Sequence, residues 1–198
     1  MKVRRAYRMS ARAAAVEARG HRILAAARAL FVELPFEEVT LEAIAARAGV
    51  TLQTVLRRFG SKPRLVAAVA EEASAEVEAQ RGQAPVGNHA AAVANLFEHY
   101  ETWGEVALRL LAQEERFEEI ATIAQRGRAL HAAWVERVFA PDLARCSESS
   151  RSMRRAQLVA ICDVYVWKLL RRDLGLSRAE AEKAVLGLVG ALGPAGEP

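Results

Sequence analysis

The sequence predicts an all-α fold: a small head of three helices, joined by a linker helix to a larger helical body. Three observations lead there. Ala, Leu, Glu and Arg dominate the 198 residues. Apolar residues recur at helical spacing almost everywhere, and no run alternates β-branched with polar residues as a strand would.

The elements follow in order. Residues 1–19 read as a basic, Ala-rich arm that can lengthen the first helix. The first helix covers about 20–32, with Ile23, Leu24, Ala27, Leu30 and Phe31 on one stripe. Pro35 breaks the chain there. The second helix, about 41–48, is capped by Thr40, and Gly49 stops it. Thr51 caps the third, about 52–59, and Ser61 caps the fourth, where Pro63 falls in the first turn. The fourth runs to about Gln80, and Arg81–Asn88 is a loop. Further helices are expected at about 89–103, 105–114, 117–139, 152–173 and 178–192. Pro141 ends the third of these, Cys146–Ser150 is a polar loop, and Ser177 caps the last.

Composition narrows the class. With 52% apolar and 26% charged residues the chain is globular. No uncharged apolar stretch reaches the ~18 residues of a membrane span. The Ala13–Val16 run stops at Glu17 and Arg19, short of a signal peptide. Cys146 and Cys162 form no CxxC, so a reduced, cytoplasmic setting is expected. The net charge of +4 hides a split: residues 1–62 carry 12 basic and 5 acidic side chains, +7, and the remainder carries −3. A basic head on a mildly acidic body suits a polyanion-binding module beside something else.

Residues 40–62 read TLEAIAARAGVTLQTVLRRFGSK. Leu41, Ile44, Ala45 and Ala48 make an i, i+3, i+4, i+7 face, and Gly49 supplies the positive φ of a tight turn. Val50 plugs that turn. Val55 and Phe59 seat the third helix, leaving Leu52, Gln53, Leu56 and Arg57 outward. Such a helix fits a DNA major groove.

From Ile23 to Val69 the chain resembles the DNA-binding domain of the TetR (tetracycline-repressor-like) family of bacterial transcription regulators. The resemblance rests on Ala26 to Phe31, Phe36 with Val39-Thr40, Ile44-Ala45 with Ala48-Gly49-Val50, Thr54-Val55, Phe59, and Ser61-Lys62 with Leu65. It implies a three-helix N-terminal helix-turn-helix domain (20–66), joined by a linker helix to an all-helical ligand-binding and dimerisation bundle (67–198). It also implies a double-stranded DNA operator, a homodimer and a small-molecule effector as partners, with no membrane partner. Two positions depart from the family pattern. Leu56 stands where an aromatic is frequent, and Arg57-Arg58 stand where His or Tyr is frequent, so the operator is not transferable from relatives.

On this basis Gln53 and Arg57 are the candidates for base edges, since Gln pairs with adenine and Arg with guanine. Leu52 can touch a thymine methyl. Thr40, Thr51 and Thr54 can contact the groove or phosphate, or only cap and pack. Arg58 and Lys62 are candidate phosphate clamps. Arg4, Arg5, Arg8 and Arg12 either reach an adjacent groove or form a solubilising tail.

In the body, the family pattern implies an apolar cavity. Phe97, Tyr100, Trp103, Phe117, Ile120, Ala124, His131 and Trp134 lie on helices that would line it, though each equally suits a core. Leu158, Cys162, Tyr165 and Leu169, with Val185, Leu188 and Leu192, form stripes suited to a four-helix dimer interface or to packing within the chain. His99 and His131 belong to no paired cluster, so no metal site is expected. Cys146 beside Arg145 is either redox-responsive or incidental. Asp163 interrupts an apolar run as an interface polar group, a ligand contact or a surface residue. No nucleophile motif, phosphate loop or metal signature points to catalysis, and no cofactor is expected.

The sequence therefore points to a repressor released by a small apolar or aromatic effector. Two alternatives stand beside it: a regulator whose second domain only dimerises, and an architectural protein that binds DNA without sequence preference.

Overall fold

The computed structural model describes residues 2–193, all helices and connecting turns, with no strand among them. The order is α1 (Lys2–Glu33), a 3-10 turn (Phe36–Glu38), α2 (Leu41–Ala48), α3 (Leu52–Phe59), α4 (Lys62–Gly82), α5 (His89–Leu111), α6 (Glu118–Val138), α7 (Ala140–Ala144), α8 (Glu148–Ile161), α9 (Val164–Lys168) running into a π-helical turn (Leu169–Asp173), and α10 (Arg178–Ala191).

The head forms as its sequence dictates. Thr40 Oγ1 accepts the Ala43 N–H at 3.1 Å and starts α2. Gly49, at φ 65°, ends it in the left-handed conformation that a side chain would strain. Val50 N–H then returns to Ala45 O at 3.0 Å, closing the turn into α3. Ile23, Ala27, Ile44, Val55 and Leu65 meet in a core where each is fully buried. Burial of a large aliphatic side chain contributes roughly 1.5–3 kcal/mol, so each such residue here adds appreciably to the head's stability.

The head is not packed by itself. Ile120 of α6 is fully buried in the same cluster, and Phe117, Leu110 and Ile123 pack against it. Phe36 stacks on Phe31 at 5.9 Å and tilts onto Phe117 at 5.8 Å. The body has a second core around Phe97, Trp167, Phe139 and Leu143.

Four expectations about the body need correction. The helices expected at 89–103 and 105–114 are one helix, α5, continuous through Gly104. A Cβ at Gly104 would stand 2.5 Å from the Trp167 ring, so this glycine is a seat for Trp167 rather than a break. Pro141 opens α7 at its first turn, a position that needs no N–H donor. The segment expected as a loop at Cys146–Ser150 already holds the cap of α8, because Ser147 accepts the Ser150 N–H. The helix expected at 152–173 is interrupted at Cys162–Asp163. Asp163 accepts the Tyr165 N–H at 2.9 Å and caps α9. α10 begins on a full capping box between Ser177 and Glu180.

Candidate nucleic-acid interface and cavity

The outer face of α3 is built by exclusion. Val55 is fully buried and Phe59 half-buried, so the helix turns Gln53, Leu56 and Arg57 outward. Thr51 starts α3 by accepting the Thr54 N–H, and its hydroxyl also lies 2.9 Å from the Thr54 hydroxyl. Leu52 and Thr54 are half-buried at the helix entrance, and Thr40 is exposed at the start of α2. Arg57 makes no ion pair among the described residues.

Other basic groups of the head are committed internally. Arg47 holds Glu33 with two hydrogen bonds, and Arg28 pairs with Glu76 at 2.9 Å while lying over Trp103 at 4.6 Å. Arg58 folds back onto α1: its guanidinium covers Gly20 and stands 3.9 Å from Glu17. Lys62 departs furthest from the expected phosphate clamp. Its ammonium turns inward, donates to the Phe36 carbonyl and lies 4.0 Å over the Phe36 ring. Burial lowers its pKa, and the charge of Glu37 partly opposes that shift. Sequence reasoning could not see this, because Phe36 and Lys62 meet only through the fold. The side chains of Arg4, Arg5, Arg8 and Arg12 lie outside the described residues.

Beside the head, α4, α5 and α6 line a half-open cavity of about 450 Å³, with Phe31 and Phe36 in its wall. That size suits a small-molecule site. Small residues make the space: Ala67, Ala70 and Ser74 along α4, Ala107 on α5 and Gly127 on α6. Their spacing along α4, at 67, 70 and 74, is the signal for the cavity that the sequence carries. Of the residues expected to line it, only Trp103 does. Phe97, Tyr100, Ile120, Ala124 and Trp134 are buried in the packing, because their stripes face the cores. Phe117 is half-buried against Phe36. His131 bonds the Val159 carbonyl at 3.1 Å. His99, Val106, Leu110, Ile123 and Leu130 line the cavity instead.

Polar groups sit at the rim and beneath. At the rim, Arg126 pairs with Glu71 and Glu78. Beneath, Arg81 is 4% exposed, bonds His131 Nδ1 at 3.1 Å and lies 4.3 Å over the Trp134 ring. Burial, with the Arg81 charge adding to it, pushes the His99 pKa down to about 3. Burial likewise lowers His131, and it raises the Cys162 thiol to about 12 against the opposing pull of Arg81. The Tyr100 hydroxyl donates to the Cys162 carbonyl at 3.0 Å, and burial raises its pKa.

The stripes expected at an interface divide. Leu158, Cys162 and Val185 are buried in the body's own core, and Leu192 is half-buried. Tyr165, Leu169 and Leu188 are 57%, 49% and 47% exposed, joined by Met153 and Leu174. Cys146 is half-buried, with its thiol donating to the Asp142 carbonyl at 3.5 Å. Among the described residues no three His, Cys, Asp or Glu side chains stand together as a metal site would need, and no helix is long and apolar enough to cross a membrane.

Residues 23–69 match the family model for bacterial regulatory proteins, tetR family. No curated protein matches the chain. Solved structures resemble its fold. A transcriptional regulator from Rhodococcus sp. Rha1 has a TM-score of 0.70 at 18% identity, covering 90% of this chain and 98% of that one. A candidate transcriptional regulator from Pseudomonas aeruginosa PAO1 has a TM-score of 0.62 at 16% identity over 89% and 90% of the two chains. A candidate TetR-family transcriptional regulator from Mesorhizobium loti MAFF303099 has a TM-score of 0.59 at 16% identity over 89% and 95%.

Proposed function

The chain belongs, by its head, to the tetR family of bacterial regulatory proteins, and on that premise we propose that it is a homodimeric repressor released from its operator by an apolar or aromatic small molecule. It is a DNA-binding transcription regulator and not an enzyme. In this reading residues 20–66 bind DNA, 67–198 sense and dimerise, and 1–19 extend the first helix as a basic arm. The protein works in the cytoplasm, where its operator lies.

One observation carries the sensor reading. The cavity's walls belong to both parts of the molecule: Phe31 and Phe36 from the head, Trp103, Leu110 and Ile123 from the body. An occupant therefore touches the head directly, and a ligand that fits one head orientation better shifts the equilibrium by that difference, typically about 1–3 kcal/mol. Gln53 and Arg57 read bases, Leu52 and Thr54 line the groove contact, and Thr40 and Thr51 approach the backbone. Arg58 reaches phosphate by leaving Glu17, a 3.9 Å pair with little to lose. Lys62 acts from inside, holding Phe36. The exposed Tyr165, Leu169 and Leu188 support a dimer contact, since a monomer gains nothing from a wet apolar patch there.

The test is fluorescence anisotropy with the DNA flanking the protein's own gene and with random duplexes of equal length. Preference for the flanking DNA that survives rising salt supports a specific regulator. Equal affinity for both would leave an architectural DNA-binding protein.

A further inference from the structure

A polar cluster packed beneath the cavity, reached from its lining through His99, is unlike the cavity's rim. At the rim every charge has a partner: Arg126 pairs with both Glu71 and Glu78. Ser74, Val77 and Glu78 line the cavity along α4, and Arg81 is the next residue on that face of the helix. There the charge has no answer. Arg81 is buried, and among the described residues no carboxylate pairs with it; its guanidinium bonds His131 and lies beside the Tyr100 side chain, both uncharged partners. Stacking on Trp134 offsets part of the cost, but a buried guanidinium without an anion remains expensive.

Two further groups beside it are unsatisfied. The buried Trp134 Nε1 and the buried His99 Nδ1 have no hydrogen-bond partner. His99 belongs to both places. It lines the cavity, and it lies close enough to Arg81 for the guanidinium charge to disfavour its protonation. An indole N–H can only donate, and a neutral imidazole donates from one nitrogen. Native buried polar groups without partners call for an explanation, and a carboxylate accepts what all three can give.

We infer that the effector is an amphipathic acid, an apolar or aromatic body ending in a carboxylate, whose acid group is received beneath the cavity by Arg81, His99 and Trp134. This rests on the reading of the cavity as the effector site. Arg81 supplies the countercharge, His99 and Trp134 supply N–H donors, and the walls around Trp103 and Leu130 take the apolar body. A lipophilic cation fits less well, because the carboxylates that line the site, Glu71, Glu78 and Glu119, are already paired with Arg126 and Arg64.

The test uses the full chain and matched probes: decanoate, decanol and decyltrimethylammonium, with 2-naphthoate and 2-naphthol as the aromatic pair. Binding is read by titration calorimetry and tryptophan fluorescence. The expected result is that each acid binds about tenfold or more tighter than its alcohol, and that the ammonium does not saturate. Arg81→Met should bring acid binding down to the level of the alcohol and leave the alcohol unchanged. Trp134→Phe should weaken the acid a few-fold. Equal binding of acid and alcohol, tightest binding of the ammonium, no saturable acid, or an unchanged preference in a folded Arg81→Met would each overturn the inference. If Arg81→Met does not fold, the wild-type comparison of acid with alcohol decides. Operator release is measured in the same samples. Acids that bind without releasing DNA count against the sensor reading and not the acid site; release by the alcohols alone does the reverse.

Discussion

Arg109 donates from Nη1 to the Phe31 carbonyl at 3.1 Å, and the same two residues form part of the cavity wall. Arg109 also reaches the carbonyls of Val32 at 3.2 Å and Leu34 at 3.1 Å. The last carbonyls of a helix have no partner within it, and they form the negative end of its dipole. One guanidinium from α5 thus closes the C-terminal end of α1 at the point where an occupant of the cavity would sit.

Replacing Arg109 should separate head from body. Arg109→Met keeps the apolar stem but leaves three carbonyls without their donor. We expect a loss of about 1.5–3 kcal/mol, the range for hydrogen bonds to a charged group, read from urea denaturation. Effector-driven release of DNA should weaken as well. A variant with unchanged stability and unchanged release would mean that the clasp is incidental.

Arg57 and Lys62 should divide cleanly, although both are basic and near the recognition helix. Arg57→Ala removes an exposed side chain, so stability should stay within about 0.5 kcal/mol while DNA binding falls by about 1–3 kcal/mol and specificity relaxes at one base pair. Lys62→Met should lower stability, because it removes the partner of the Phe36 carbonyl beneath a half-buried ammonium. A Lys62→Met protein of full stability that loses only DNA affinity would restore the phosphate-clamp role.

That contrast shows where the sequence was legible. The caps at Thr40, Thr51, Ser61 and Ser177, and the turn at Gly49, are local events between neighbours in the chain. They are readable because a side-chain oxygen two or three residues from an unpaired N–H has one obvious use. The direction of Lys62, the burial of Arg81 and the seat of Trp167 on Gly104 are set by partners far away in sequence. Periodicity identifies an apolar face but not what faces it. For that reason Tyr100 and Trp134 read equally well as cavity wall and as core, and the core took them.

Glycine-to-alanine substitutions at two helical positions should have opposite signs. In an open helix the change stabilises by about 1 kcal/mol. At Gly20 the nearest atoms to the new Cβ would be those at the tip of Arg58, a flexible side chain that can swing away. Gly20→Ala should therefore be neutral or stabilising and should free Arg58 for DNA. At Gly104 the new Cβ would stand 2.5 Å from the Trp167 ring, held in the core and unable to yield. Gly104→Ala should destabilise by about 1–3 kcal/mol, the usual cost of overpacking, with a shift in tryptophan emission. Equal signs at the two sites would refute the seat assigned to Trp167.

Acid should loosen the body through its buried histidines. His99 titrates at about 3 in the folded chain, chiefly because burial disfavours the imidazolium, against 6.5 for the free side chain. Between those values the unfolded chain holds the proton and the folded chain does not, so stability rises with pH there and falls as pH drops below 6.5. The slope for one such group is at most about 1.4 kcal/mol per pH unit. His131, also lowered by burial, acts in the same direction. Urea denaturation at pH 7.0, 6.0 and 5.0 should show a progressive loss that His99→Phe reduces, since phenylalanine has no proton to gain. A profile as steep in His99→Phe as in the wild type would place the acid sensitivity elsewhere. Above about pH 8 neither histidine contributes a slope, because both are neutral in the folded and unfolded chains alike.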